Sequence, residues 1–126
     1  MSMFVDPKAR IAVTDGQNTV YIRAKMDAGR KAQVLDEMRM HGVGKDKSEG
    51  ELSGLGSYQM LLRVHNVVAW EGPDFMDGQG RPIPCTRANI LLLDPTTALY
   101  DLVGDRIAEL NKDAQVPAEE LAQDPN

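Results

Sequence analysis

Apolar and polar residues repeat with two different periods along this chain, and the changes of period outline its elements. Residues 11–14 (Ile-Ala-Val-Thr) and 19–23 (Thr-Val-Tyr-Ile-Arg) are short β-branched runs separated by Asp15, Gly16, Gln17 and Asn18. Asp, Gly and Asn tolerate the geometries that reverse a chain, so the pair reads as a β-hairpin. Alternation puts Val20 and Ile22 on one face and Tyr21 and Arg23 on the other. A hairpin this small requires a covering element. The period then lengthens. Asp27 stands where an N-cap belongs, and Ala32, Val34, Leu35, Met38 and His41 recur at near-helical spacing before Gly42, which predicts a helix of about four turns.

From 43 to 57 the composition shifts to Gly, Ser, Lys and Glu and predicts a long, flexible, Gly-rich loop. Residues 58–70 fit both periods. Met60, Leu61, Val64, Val67 and Val68 follow helical spacing, while Tyr58, Met60, Leu62, Val64, Val68 and Trp70 alternate, broken at Asn66. The valines favour a strand, which gives the hairpin a third partner. Beyond Trp70, Gly72-Pro73 and Asp77-Gly78-Gln79-Gly80 impose turns, and Pro82 and Pro84 hold an extended course. Thr86 caps a short helix through Leu93. Asp94, Pro95, Thr96 and Thr97 then open a last helix with Leu99, Leu102, Val103, Ile107 and Leu110 on one stripe. The predicted class is α+β: the N-terminal β-hairpin and a third strand packed with about three helices. Residues 1–114 form one small domain, and 115–126 a polar tail with Pro117 and Pro125. Val20, Ile22, Val34, Leu35, Met38, Leu62, Val64, Val68, Trp70, Ile90, Leu93, Leu99, Val103 and Ile107 are the expected core.

A chain of 126 residues, 42% apolar and 26% charged, suits one ordinary core and excludes wholesale disorder. The net charge of −5 argues against nucleic acid as a partner, since that affinity rests on Lys and Arg neutralising phosphates. Arg30, Lys31 and Arg39 are interspersed with Asp27, Asp36 and Glu37, the pattern of a solvated face. Cys85 stands alone, so no internal disulfide forms and a reducing compartment fits. Neither a basic leader nor a membrane-length apolar run is present, which leaves a cytosolic protein with no membrane partner as the expectation.

Each constellation with chemical content lacks a needed part. His41 and His65 have no ligand at metal-site spacing. Asp74, Asp77 and Gln79 lack the order and closing Glu of a calcium loop, and Gly50, Gly54 and Gly56 lack phosphate-loop spacing. Cys85, between Pro84 and Thr86, has no neighbouring base, and Asp101, Asp105 and Glu109 form the solvated face of the last helix. No catalytic residue, cofactor or metal is expected, and the chain reads as non-enzymatic.

One succession remains: an apolar run ending at Trp70, a turn with Asp77 and Gly80, an extended stretch through Pro82 and Pro84, and a capped helix carrying Thr86, Ile90 and Leu93. Followed by Asp94-Pro95 and an amphipathic helix, it resembles small tail-assembly proteins of long-tailed bacteriophages and prophages over residues 60–111. The resemblance implies a tail assembly chaperone, which binds tape measure and tail tube proteins in the host cytoplasm. The alternative is a virion structural component such as a neck or tail accessory protein. A small-ligand module or enzyme built around Gly72 to Gly80 is a third reading. Docking needs adaptable exposed apolar surface, for which Met38 and Met40 of the first helix, with Trp70 and Phe75 of the connector, are the candidate partner-binding residues. Self-association stays open.

Overall fold

A computed structural model of the chain describes residues 3–40 and 47–112, of which 47–56 by backbone alone. The β-branched runs pair as expected. Strand β1 (Arg10–Thr14) lies antiparallel to β2 (Thr19–Arg23), with Thr14 opposite Thr19 and Arg10 opposite Arg23. Asp15 shapes the reversal, its Oδ1 accepting from the backbone N–H groups of Gln17 (2.9 Å) and Asn18 (2.8 Å). Strand β3 (Val67–Glu71) adds antiparallel to the other side of β2, which gives the order β1-β2-β3 with a register shift between Tyr21 and Ile22. Val20 and Ile22 are buried, whereas the Tyr21 hydroxyl donates to Glu71 Oε1 at 2.6 Å across the strands.

Helix α1 (Ala28–Met40) starts at its expected cap: Asp27 Oδ1 accepts from the Arg30 N–H at 2.7 Å. Val34 is buried and Met38, one turn on, packs partly buried against the core. Leu35 departs from expectation at 41% exposed. One residue is about 100° of helical rotation, so Leu35 is carried off the narrow stripe that Val34 and Met38 share.

Two expectations change at helix α2 (Lys47–Asn66). The Gly-rich loop expected over 43–57 is helical from Lys47 onward; 43–46 lie outside the described residues. Each helical glycine is unfavourable by about 1 kcal/mol relative to alanine, which disfavours a helix without forbidding it. The packed C-terminal half, where Leu61 and Leu62 are buried, supplies the compensating burial. The segment 58–70 is not one strand. It is helix up to Asn66 and strand from Val67, so each of its two periodicities belongs to one half. Asn66 is fully buried, and its Nδ2 donates to the Leu62 carbonyl at 2.7 Å, tying off the helix as the strand begins.

A single 3₁₀ turn (Pro73–Phe75) and the short α3 (Arg87–Ile90) lead to α4 (Ala98–Leu110). Thr86 and Thr97 both act as N-caps, accepting from the N–H groups of Asn89 and Tyr100. Leu99, Val103 and Ile107 are buried and α4 packs on α2, β1 and β2; Leu102 lies beside that stripe at 45% exposed. Arg63 clasps α2 to α4. Its guanidinium lies 3.7 Å over the Tyr100 ring, with Nη2 donating to the Tyr100 carbonyl (3.1 Å) and Nη1 to the Gln59 carbonyl (2.8 Å). A Cβ at Gly104 would overlap that guanidinium.

Candidate interaction groove

The connector between β3 and α4 is fastened to the hairpin turn before it does anything else. Gly72 has φ +130°, and a Cβ there would lie 2.7 Å from Asn18 Cα, so only glycine lets the chain pass this close. Asn18 is buried and bonds twice to one residue, its Oδ1 accepting from the Asp74 N–H (3.0 Å) and its Nδ2 donating to Asp74 Oδ2 (2.7 Å). Further along, the Asp77 carboxylate accepts from the N–H groups of Gln79 and Arg81 and from Arg81 Nε. Those donors, the Arg81 and Gln79 backbone first, hold the Asp77 carboxyl below its ordinary range.

This frame positions two aromatic rings. Trp70 Nε1 donates to the Ile83 carbonyl at 2.7 Å, and the Phe75 N–H to the Gly72 carbonyl at 3.0 Å. The rings stack with centroids 4.7 Å apart and 9° between planes. Beside them opens a groove of about 450 Å³. Trp70, Phe75, Ile83 and Leu93 supply apolar wall, and Leu92 stands in it at 80% exposed. Asp15, Asp74 and Asp94 also line it, whereas among the described residues no Lys or Arg does. Asp15 is held below the ordinary carboxylate range by the N–H groups of Asn18 and Gln17, and Asp94 by the Thr96 hydroxyl and N–H. Both therefore carry full negative charge at neutral pH.

Two other places collect functional groups. A cavity of about 40 Å³ lies between Arg63, Val67, Phe75 and Val103, enough for about one or two water molecules. Burial lowers the Arg63 pKa, and its Nε has no hydrogen-bond partner. On the far side of α2, buried His65 places Nε2 2.9 Å from Glu37 Oε1, while Arg87 Nη2 lies 2.6 Å from Glu37 Oε2. The Arg87 hydrogen bond, with a smaller contribution from His65, depresses the Glu37 pKa. His65 and Glu37 with Arg87 thus join α1, α2 and α3; His41 lies outside the described residues. Half-buried Cys85 has its thiol pKa raised by burial.

The four candidate partner-binding residues do not converge. Trp70 and Phe75 form the stacked pair at the groove wall, with Phe75 largely buried. Met38 is packed against the core, and Met40 is 80% exposed at the end of α1, outside the groove lining. Leu92 and the three acids are not grouped by their positions in the sequence. A signal existed in the run Leu91-Leu92-Leu93, since three consecutive residues of a helical turn point in directions about 100° apart and one must face away from the core. Among the described residues no group of three or more His, Cys, Asp or Glu is placed to hold a metal ion, and no helix is long and apolar enough to cross a membrane. Comparison with protein-family models, curated proteins and solved structures gave no match to the chain.

Proposed function

We propose that this chain is a non-enzymatic assembly protein that docks a segment of a partner in the groove beside Trp70, in the role of a phage tail assembly chaperone for tape measure and tail tube proteins. The carrying observation is a preformed groove with an exposed leucine at its wall. Rings fixed by the Ile83 and Gly72 bonds need no reordering when a partner arrives, which lowers the entropic cost of binding. Covering a leucine side chain contributes about 1.5–3 kcal/mol. One groove of this size suits an encounter that can be reversed, as assembly factors require. The phage-tail resemblance of the stretch from Trp70 to Leu93 supports the choice of partners.

Co-expression with the tape measure and tail tube proteins of the same genome tests this. A co-purifying complex is expected with at least one of them, and failure to form any complex with either removes the proposal. Mass spectrometry of purified particles separates a chaperone, absent from the finished tail, from a retained neck or tail accessory protein.

A further inference from the structure

Charge and shape at the groove narrow what can sit there. Its wall offers apolar surface from Trp70, Ile83, Leu92 and Leu93, and among the described residues its charged groups are the carboxylates of Asp15, Asp74 and Asp94. Asp15 and Asp94 accept bonds from their own loops and Asp74 accepts one from Asn18 of the hairpin turn, which fixes the negative groups in place rather than leaving them to swing into bulk water. An acidic occupant would bring like charges together, and a purely apolar one would leave the rim uncompensated. Residues 113–126 contain Asp113, Glu119, Glu120 and Asp124 and no Lys or Arg, so this segment is the wrong charge for the site.

From this, and resting on the docking function proposed above, we infer that the groove takes a cationic amphipathic peptide segment of another protein, with apolar side chains against Trp70 and Leu92 and Lys or Arg at the Asp15, Asp74 and Asp94 rim. Trp70 is the only tryptophan in the chain, so its emission reports occupancy directly. The probe is a synthetic peptide of two Leu-Lys-Lys-Leu-Leu-Lys-Leu repeats, with a second peptide carrying Glu for every Lys as its counterpart. The lysine peptide is expected to shift Trp70 emission saturably, with affinity falling as salt rises, and the glutamate peptide to leave it unchanged.

Leu92→Lys and Met40→Lys alter the net charge equally, and both positions are 80% exposed, so neither threatens the fold. Leu92→Lys should weaken the lysine peptide about tenfold or more and Met40→Lys should leave its affinity at the wild-type value. Asp94→Asn keeps an oxygen for Thr96 while removing the charge, and should weaken binding and reduce its salt dependence. Equal binding of both peptides, or equal effects of Leu92→Lys and Met40→Lys, overturns the inference. So does a wild-type oligomer that Leu92→Lys dissociates, because a second copy would then fill the groove. A partner complex that survives Leu92→Lys while the peptide fails to bind discards this groove and keeps the docking function; peptide binding without any tape measure or tube complex keeps the groove and discards the phage role.

Discussion

The core beneath the sheet and the connector after β3 are held by different forces. Under the sheet, Ile22, Val34, Leu61 and Ile107 are buried against one another, and removal of apolar surface from water does most of the stabilising. The connector from Gly72 to Thr97 contributes few buried residues, Phe75 and Ile90 among them. It keeps its shape through Asn18, Asp74, Asp77 and the two threonine caps. A region organised by directional bonds can leave a leucine such as Leu92 in water, because its conformation does not depend on burying that leucine. The difference explains why the groove lies in the connector and not in the helical layer.

Substitutions should separate the two regimes. The largest effect is expected at Ile107→Ala, which removes a fully buried side chain and should lower stability by about 2–5 kcal/mol in chemical unfolding, out of a total of about 5–15 kcal/mol. Gly104→Ala comes next and tests direction. In an open helix interior it would stabilise by about 1 kcal/mol, but here the new Cβ meets the Arg63 guanidinium, so a net loss of about 1–3 kcal/mol is expected. A gain would show that the Arg63 clasp yields freely. Asn18→Ala should lower stability by about 1–3 kcal/mol by removing both bonds to Asp74, and should shift Trp70 emission to the red. Loss of stability with unchanged emission would mean that the rings hold themselves in place.

The smallest effect concerns pH. The Glu37 pKa is depressed in the folded chain, by Arg87 above all, so its contribution is present above its ordinary value of 4.5 and is lost as pH falls through the lower folded value. Being partly exposed, the pair contributes at most about 1 kcal/mol. Arg87→Ala should therefore reduce stability at neutral pH and flatten the loss that sets in as pH falls below 4.5; an unaltered acid profile would argue against the pair.

What was legible in the residues was what neighbours in sequence decide. The hairpin, the caps Asp27, Thr86 and Thr97, and the α4 stripe through Leu99, Val103 and Ile107 each depend on a few adjacent side chains. Helix α2 was hidden because its glycines speak locally for a loop, while the packing of Leu61 and Leu62 is a tertiary fact. Its handover to β3 left a trace, the break in alternation at Asn66, which is where the two periods meet. The groove was illegible for a stronger reason. Asp15, Asp74 and Asp94 come from three separate stretches, and nothing in their spacing along the chain indicates that they share a wall.

The bond between Asn18 and Asp74 spans 56 positions of the sequence. Strands β2 and β3 and helices α1 and α2 lie between its partners, and the closure entropy of so wide a separation makes it a contact expected to form late in folding. Asp15 and Asn18 line the groove from the hairpin side of that closure, and the rest of the lining comes from Trp70 onward. A nascent chain that has not yet folded residues 70–99 against the hairpin turn is therefore expected to offer no groove, and a partner that binds there to select chains in which this closure is made.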